Sequence, residues 1–466
     1  MRFTVREISL FERPVKLRLP FRFGAATLTE APQAFVRARI ETEKGASAIG
    51  GAAELMVPKW FDKTASTTND ENLAQLRASL ALARDSYLAG SANTAFGHFI
   101  DNYAPQIAMG TMQGMNSLVA CYGPALIDRA LLDALCRALG ISFFQAIAKN
   151  LPGIQAPGWQ ADLAAFDMDD FLFEMKPRGA LQARHTVGLL DPISAADARE
   201  RPSDGLPVTL EEVIARYGHR WFKLKLSGDT AADVERLAAI AAVLEGIEGY
   251  QCTLDGNEQY ADEQGILDLW RRIKAEPRLK RLASSIAFIE QPVRRQNALT
   301  ADMSELGEDK PVIIDESDDS LEAFPLARRH GYTGVSSKAC KGFYKSILNA
   351  ARCRLWNREE GAERYFMSAE DLTTQAGLAV QQDLALAALL GIPHVERNGH
   401  HYVNGMAGTL VSEQEAFLNA HPDLYERSHG VVRLRIERGM LQMTSLNGAG
   451  FASGALPDWS AMKEMA

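Results

Sequence analysis

The chain has 466 residues, which predicts at least two domains because one hydrophobic core rarely serves so many residues. A hydrophobic share of 47% and a charged share of 23% are typical of an ordinary soluble globular protein. The formal net charge is −9, and no run of five basic residues occurs, so neither nucleic acid nor an anionic membrane surface is expected as a partner.

The cysteines and the N-terminus predict a cytoplasmic protein. The five cysteines are odd in number and show no CxxC or Cys/His zinc spacing, so we expect reduced, buried thiols. The opening sequence MRFTVREISLFERPVKL alternates charged and apolar residues and therefore does not resemble a signal peptide. An uncharged apolar stretch of about 18 residues is also absent from the sequence, which argues against a membrane span.

The first third of the chain predicts strands followed by helices. FTVREISLFERPVKLRL and QAFVRARIETEKGASAIGGAAE alternate apolar and polar residues, as half-buried strands do. From about Asn72 to Gly140 the apolar spacing becomes helical, with Gly140 as a candidate C-cap. We predict an α+β capping domain over residues 1–125 and a loop insertion near residues 150–184, where the periodicity is weak.

From His185 onward, eight short apolar segments alternate with amphipathic helical segments. The eight segments are HTVGLLDPI, WFKLKLSGD, YQCTLDGNE, IAFIEQPV, PVIIDES, GVSSKAC, RYFMSAED and IPHVERN. Such alternation over about 220 residues predicts a closed (β/α)₈ barrel, which we assign to residues 126–429. An open doubly wound sheet is the alternative, weakened because no GxGxxG follows the first strand.

The C-terminal segment returns to an alternating pattern. GVVRLRIERGMLQMTSL resembles the first 50 residues or so more than it resembles the barrel segments. We therefore predict that residues 430–466 fold back onto the N-terminal domain and complete the cap.

Acidic side chains end three successive predicted strands of the barrel. Asp255 ends the third strand, Glu290 the fourth and Asp315 the fifth, with Asn257 and Glu316 beside them. In a parallel barrel these groups converge at the carboxyl ends of the strands, where active sites lie. Any one of them alone would more often be a helix or loop cap. Three carboxylates in register repel one another, and Mg²⁺ is the cation that best relieves this repulsion, so we predict a Mg²⁺ site.

Three lysines lie on the strands that flank these carboxylates. Lys223 and Lys225 are one residue apart in WFKLKLSGD, so they share one face of a strand, and Lys338 lies on the sixth strand. Paired lysines alone would indicate a solvated strand face. Beside the carboxylates, they are predicted to point into the barrel. We also expect neighbouring positive charge to lower the pKa of a lysine toward neutrality, which suits general-base catalysis.

These motifs together resemble the enolase superfamily and, within it, the muconate-lactonizing-enzyme subgroup of the mandelate racemase/muconate lactonizing enzyme family. The matching motifs are KxK at Lys223 and Lys225, DxN at Asp255 and Asn257, EQP at Glu290, DES at Asp315 and Glu316, and the lone Lys338. The resemblance extends over nearly the whole chain except roughly residues 150–184, and it includes the capping domain.

The resemblance implies an activity and roles for the site residues. Mg²⁺ would assist removal of the α-proton of a small-molecule carboxylate, through an enediolate. Lys225 would be the base on one face of the substrate and Lys338 the acid or base on the other, with Lys223 orienting and tuning Lys225. Racemisation or epimerisation, cycloisomerisation and syn-dehydration remain open, and a homo-oligomer is expected.

The sequence departs from two branches of that family. The sugar-acid dehydratases use a His–Asp pair from late strands, whereas His394 here is interpreted as a packed core residue. The dipeptide epimerases carry DxD near strand eight, whereas this chain has HVERNGHH. The second departure weakens a dipeptide substrate without excluding epimerisation of another one.

The substrate-binding candidates lie in two loops of the cap and after the last two strands. The candidates are Phe21, Arg22 and Phe23 in PFRFGAATL, Pro58, Lys59 and Trp60 in ELMVPKWFDK, Glu370 and Asp371 after strand seven, and His400 and His401 after strand eight. For the loop residues, packing in the cap is an equal alternative. For the other four residues a structural role is the favoured alternative.

Two other functions are kept as alternatives. A barrel aldolase would use Lys338 or Lys225 as a Schiff-base nucleophile, but it has no need of three carboxylate strands. A non-catalytic barrel retained for binding has no reason to keep both lysines. Cys340, beside Lys338, is interpreted as barrel packing rather than as a nucleophile.

Overall fold

The computed structural model describes residues 1–24, 26–156, 158, 160–199, 201–374 and 376–465, and it contains a capping domain and a barrel. The strands are β1 (Arg2–Phe23), β2 (Ala26–Thr42), β3 (Ser47–Leu55), β4 (Asn93–Thr94), β5 (Ala180–Val187), β6 (Trp221–Lys225), β7 (Gln251–Asp255), β8 (Ile286–Glu290), β9 (Val312–Ile314), β10 (Gly334–Ser337), β11 (Phe366–Ala369), β12 (His394–Arg397), β13 (Tyr425–Ser428), β14 (Val431–Leu434), β15 (Met440–Gln442) and β16 (Lys463–Glu464).

Helices follow β3 and β4 of the cap and each of the eight barrel strands in the described part of the chain. They are α1 (Asn69–Ala89), α2 (Ala95–Met112), α3 (Ser117–Ala120), α4 (Tyr122–Leu139), α5 (Phe143–Ala148), α6 (Met168–Glu174), α7 (Leu210–Tyr217), α8 (Thr230–Leu244), α9 (Glu263–Ala275), α10 (Lys280–Ser285), α11 (Arg295–Ala298), α12 (Ser304–Asp309), α13 (Ala323–Arg329), α14 (Phe343–Glu360), α15 (Leu378–Leu389), α16 (Gly399–Tyr402) and α17 (Val411–Ala420). Among the described helices, none is long and apolar enough to cross a membrane.

The cap is an antiparallel sheet covered by helices. Strands β1 and β2 form a long hairpin, β3 pairs with β2, and β16 pairs with β1. Helix α1 begins with a capping box, in which Thr68 accepts from the Glu71 N–H and the Glu71 carboxylate accepts in return. The predicted α+β cap with contributions from both ends of the chain is confirmed.

The barrel contains eight parallel strands, in the order β5 to β12, and β12 pairs with β5 to close it. Seven of the eight predicted segments contain one of these strands and the first overlaps the end of β5, so the (β/α)₈ prediction is confirmed. The first strand begins at Ala180, five residues before the predicted start at His185. Periodicity revealed the barrel because short buried strands alternate with helices whose apolar face packs on them.

The predicted boundaries differ from the structure in two places. The boundary at residue 125 falls inside α4, which packs on β2 and β3 of the cap. Gly50 permits this packing, because a Cβ there would collide with the backbone of Ala130 and Ala134 in α4. The 150–184 segment is not only a loop, since it holds α6 and the first half of β5. Helix α6 has seven residues, too few to show a clear period.

The C-terminal segment contacts both domains rather than the cap alone. Strand β14 forms a hairpin with β13, and β15 pairs antiparallel with barrel strand β5. Among the described residues of this segment, β16 alone joins the cap sheet, where Glu464 lies opposite Phe11. Alternation in the sequence indicates a strand but carries no information about its partner, which explains the difference. All five cysteines are buried and free, as expected.

Candidate active site

The three predicted metal ligands meet at the carboxyl end of the barrel. Asp255 is the last residue of β7, Glu290 the last of β8, and Asp315 directly follows β9. Asp255 and Glu290 are direct partners in the register of their parallel strands. All three side chains are at most 1% exposed. The structure therefore brings the predicted carboxylates together in a place that excludes bulk water.

Lys223 lies at the centre of a ring of carboxylates. Its Nζ is 2.7 Å from Glu290 Oε2, 2.7 Å from Glu370 Oε2, 2.9 Å from Asp255 Oδ2 and 3.0 Å from Glu396 Oε2. Burial opposes the charged form, but the four carboxylates prevail and raise the pKa of Lys223 well above its usual value. Lys223 therefore keeps its proton and acts as a fixed positive charge.

Lys225 and Lys338 each bind a different carboxylate. Lys225 Nζ lies 2.6 Å from Asp255 Oδ2, and Lys338 Nζ lies 2.6 Å from Asp315 Oδ2. Burial works against the ammonium of Lys338, but Asp315 raises its pKa above the usual value. The expected lowering of lysine pKa is thus wrong for Lys223 and Lys338. Their nearest neighbours are carboxylates rather than other ammonium groups.

The carboxylates themselves do not ionise alike. Burial, with Asp255 and Glu370 nearby, raises the pKa of Glu290 well above its usual value in spite of Lys223. Burial acts in the same direction on Asp255 and Asp315, but the neighbouring lysines lower the pKa of both carboxyls. Glu290 is therefore the carboxylate whose charge the lysines compensate least. The lysines thus leave part of the negative charge of the three carboxylates unbalanced. Three carboxylates with such an excess of negative charge form a donor set that fits a hard divalent cation.

The supporting residues Asn257 and Glu316 contact each other beside this cluster. Asn257 donates its backbone N–H to Asp255 Oδ1 at 2.8 Å, and its side-chain amide lies 3.3 Å from Glu316 Oε1. Asn257 Oδ1 and Glu316 Oε2 are buried without a hydrogen-bond partner among the described residues. Asn257 therefore holds the Asp255 carboxylate through its backbone, whereas Glu316 contacts Asn257 rather than a predicted metal ligand, and a supporting role for both residues stays a prediction.

A narrow cavity lies above the lysines, between the cap and the barrel. Cap residues Phe21, Phe23, Val57 and Trp60 form its roof, and its remaining walls comprise Lys225, Asn257, Lys338, Asp371, Leu372, Thr373, Glu396 and Asn398. Lys338 Nζ is 4.2 Å from the centre of the Trp60 ring, and Lys225 Nζ is 5.8 Å from that of Phe21. Both candidate catalytic lysines thus face the same cavity under an aromatic roof.

Six of the ten candidate substrate-binding residues do not line this cavity: Arg22, Pro58, Lys59, Glu370, His400 and His401. The Arg22 Nε donates to Gly24 O at 3.4 Å, and Lys59 Nζ donates to Thr64 O at 2.9 Å. Glu370 is buried below the cavity between Lys223 and Arg184. Trp60 does line the cavity. The side chains of β1 alternate faces, so the aromatic residues on either side of Arg22 point into the cavity and Arg22 points away.

The sequence interpretation missed the contacts that hold the second cap loop, ELMVPKWFDK (residues 54–63, called the cap loop below), on the barrel. Arg295 donates to the carbonyls of Trp60 and Phe61, both at 2.9 Å, and forms a two-point ion pair with Glu258. Lys63 Nζ lies 2.5 Å from Glu258 Oε2 and 3.2 Å from Glu316 Oε1. These partners are far apart in sequence, so no local pattern reveals them. Glu396 was also missed, although its place at the end of strand eight was a usable signal.

Strained backbone marks the same end of the barrel. Asn257, Glu258, Gln291 and Thr373 are non-glycine residues with positive φ angles of 41°, 69°, 35° and 58°. Such conformations persist only where the surrounding structure holds them, and they concentrate at functional sites. All four residues directly follow or closely follow barrel strands.

The remaining sequence candidates have structural positions. His394 stacks on Trp221 with ring centres 3.8 Å apart inside the barrel, as expected for a packed residue. His400 and His401 are buried outside the cavity lining. Burial raises the pKa of the Cys340 thiol well above its usual value, which disfavours a nucleophilic thiolate.

Comparison with known proteins identifies the family. The family described as enolase C-terminal domain-like matches residues 207–453, more than half of the chain. The chain belongs to this family, and it is an enzyme of the mandelate racemase/muconate lactonizing enzyme type within the enolase superfamily. No curated protein sequence matches the chain.

Solved structures share the fold over nearly the full length. A muconate lactonizing enzyme from Mucobacterium smegmatis, complexed with muconolactone, is 16% identical, with 100% of both chains covered and a TM-score of 0.60. A dipeptide epimerase from Enterococcus faecalis V583, complexed with Mg and the dipeptide L-Leu-L-Tyr, is 16% identical, covering 96% of this chain and 99% of that one, with a TM-score of 0.59. A mandelate racemase/muconate lactonizing protein from Herpetosiphon aurantiacus is 17% identical, covering 96% and 98%, with a TM-score of 0.57.

Proposed function

We propose that the protein removes the α-proton of a small carboxylate substrate, through an enediolate, with Lys225 and Lys338 as the two proton-transfer groups. The observation that carries the proposal is their placement on opposite walls of one cavity. Lys225 ends β6 and Lys338 follows β10, and these are the second and sixth strands of an eight-stranded barrel. A planar intermediate between them would present one face to each lysine.

Asp255, Glu290 and Asp315 would hold Mg²⁺ in this proposal. A bound Mg²⁺ supplies positive charge beside the substrate carboxylate, where negative charge develops as the α-proton leaves. The raised pKa of Glu290 supports this assignment, because a buried acid with uncompensated charge gains most from a cation. The crystallised dipeptide epimerase with bound Mg shares the fold and is consistent with this choice of metal.

The contacts of each lysine indicate its role in the proposed reaction. Lys223 contacts four carboxylates, so it keeps its proton and holds the negative charges of the site in place. Lys225 has one carboxylate contact, to Asp255, and it lines the cavity, so it is the member of the pair able to exchange a proton with substrate. Lys338 has the matching position opposite, with Asp315 as its carboxylate partner.

The roof of the cavity defines the kind of substrate. Phe21, Phe23 and Trp60 are each at most 4% exposed and offer apolar surface above the lysines. Because this roof excludes water, the electrostatic interactions below it are stronger than they would be in solvent. We therefore infer that the substrate carries a carboxylate at one end and a small apolar group beneath the roof.

We favour 1,1-proton transfer, that is, racemisation or epimerisation, over cycloisomerisation and dehydration. Two lysines on opposite walls can remove a proton from one face and return one to the other. A Schiff-base aldolase is disfavoured, because its chemistry has no need of the three buried carboxylates that end successive strands beside the lysines.

The proposal is tested by proton exchange in D₂O with a panel of α-substituted carboxylates, followed by NMR. With Mg²⁺ present, at least one carboxylate should lose its α-proton signal, and exhaustive chelation should stop the exchange. Arg22→Ala is the matched control, because Arg22 lies in the same cap hairpin but does not line the cavity. Undiminished exchange after complete removal of metal would refute the proposal.

A further inference from the structure

Three buried histidines form a cluster outside the barrel wall, away from the cavity. His185 lies on β5, His219 lies two residues before the start of β6, and His400 lies in α16 after β12. Their ring centres are 5.3, 5.3 and 5.2 Å apart, so the rings form a nearly equilateral triangle. The side chains are 2%, 1% and 8% exposed. Neighbouring β5 residues Arg184 and Thr186 point into the barrel, which places His185 on the outer face.

Two ring nitrogens in this triangle lack a partner. His219 Nδ1 lies 2.9 Å from the carbonyl of Ala183, to which it donates, so its Nε2 carries the lone pair. That Nε2, and Nδ1 of His400, are buried with no hydrogen-bond partner among the described residues. An unpaired buried polar atom is costly. The third contact of the triangle joins His185 Nδ1 and His400 Nε2, 3.3 Å apart, so ring nitrogens of the cluster already face one another and a cation between them would satisfy the cluster.

The geometry is close to that of a metal site. One nitrogen from each of the three histidines lies within 4.8 Å of the other two. Nitrogens around tetrahedral Zn²⁺ are about 3.3 Å apart, given Zn–N distances of about 2.0–2.1 Å, so small ring rotations suffice. The Nδ1–H of His219 on a backbone carbonyl is the arrangement that commonly orients a metal-binding histidine.

We propose that His185, His219 and His400 bind one Zn²⁺ at the seam where the barrel closes. The three donors are imidazole nitrogens, which suit Zn²⁺ rather than the oxygen-seeking Mg²⁺. The site would join β5 and the entry to β6 with the segment after β12, that is, the first two strands of the barrel with the last. Its role is structural, and it is independent of the proposed proton transfer.

Nearby positive charges do not prevent cation binding. Arg18 lies close to His401, but its guanidinium is paired with Asp204 at 2.5 Å. Arg397 is paired with Asp383 and lies 3.5 Å from Asp371. The histidines themselves are neutral near pH 7, because burial lowers the pKa of His219 to about 4 and those of His185 and His400 well below their usual value. Neutral imidazole is the ligating form.

Metal binding to the full-length protein tests this proposal. Protein stripped with chelator is saturated with Mg²⁺ to fill the carboxylate site and then titrated with Zn²⁺ or, for its visible spectrum, Co²⁺. We expect one equivalent to bind, with a tetrahedral Co²⁺ spectrum, and the melting temperature to rise. His219→Gln and His400→Gln should each weaken this binding at least tenfold, whereas Glu290→Gln should leave it unchanged.

His421→Gln is the matched control, because His421 is also buried but bonds Ser445 in another part of the fold. It should bind Zn²⁺ as the wild type does. If the cluster variants fail to fold, X-ray absorption spectroscopy of the wild-type zinc complex identifies the zinc ligands directly. We expect three imidazole ligands. No Zn²⁺ binding in the presence of Mg²⁺, wild-type affinity in folded His219→Gln, or an oxygen-only ligand shell would overturn the proposal.

Discussion

At the scale of single residues, the site depends on how charge is shared among buried groups. Lys223, Lys225 and Lys338 are at most 6% exposed, and each is compensated by carboxylates of neighbouring strands. Removing one partner of such a buried ion pair leaves an unpaired charge, which commonly costs about 3–5 kcal/mol. Substitutions in this cluster therefore call for neutral residues of similar shape.

Glu290→Gln should abolish stabilisation by Mg²⁺. A ligand present at 100 times its Kd adds about 2.7 kcal/mol to the free energy of unfolding of a protein that binds it only when folded. Thermal denaturation with and without Mg²⁺ should show this gain in the wild type and in the exposed control Glu308→Gln, but not in Glu290→Gln. An equal gain in all three proteins would remove Glu290 from the metal site.

Trp60→Ala should lower kcat/KM about tenfold or more. The substitution opens the roof of the cavity and removes the ring that lies 4.2 Å from Lys338 Nζ, a contact of a kind worth about 0.5–2 kcal/mol. Lys59→Ala is the matched control in the same loop, and it should change kcat/KM less than about twofold. Equal losses in both variants would show that the loop as a whole, rather than the Trp60 ring, matters.

At the scale of elements, the cap loop is held on the barrel by the Glu258, Arg295 and Lys63 cluster. Burial opposes ionisation of Glu258, but Arg295 and Lys63 lower its pKa to about 2. The stability from this shift is complete above the unfolded-state pKa of about 4.3 and is lost as pH falls toward 2. Acid should therefore weaken the attachment of the Trp60 loop.

Glu258→Gln should remove this acid sensitivity. Urea denaturation should show the wild type exceeding the variant in free energy of unfolding near pH 6. That difference should shrink by about 2–3 kcal/mol as the pH approaches 2. Glu308→Gln provides the exposed control, whose difference from the wild type should stay small at every pH. A difference between wild type and Glu258→Gln that does not change with pH would contradict the assigned pKa.

Elements and site were not equally predictable from the sequence. The eight barrel strands and Asp255, Glu290 and Asp315 followed from local patterns, since a strand and the residue at its end are adjacent in sequence. The partner of β15 and the contacts of Lys63 depend on residues more than 190 positions away, so no window of sequence contains them. The pKa of Lys223 depends on four strands at once and was predicted in the wrong direction.

At the scale of the whole molecule, two domains enclose one cavity. The cap supplies an apolar roof through Phe21, Phe23 and Trp60, and the barrel supplies charge through its strand ends. The C-terminal segment joins the two, with β15 on the barrel and β16 on the cap. The proposed chemistry needs both domains, because the barrel places the two lysines on opposite walls of the cavity and the cap excludes water from them.

The most direct test of this account follows α-proton exchange in D₂O separately for the two enantiomers of an accepted substrate. Because Lys225 and Lys338 lie on opposite walls of the cavity, Lys225→Met should abolish exchange for one enantiomer and Lys338→Met for the other. Losses that are not mirrored would instead favour cycloisomerisation or dehydration, in which one lysine handles the proton. Wild-type exchange of both enantiomers in both variants would contradict the proposed mechanism.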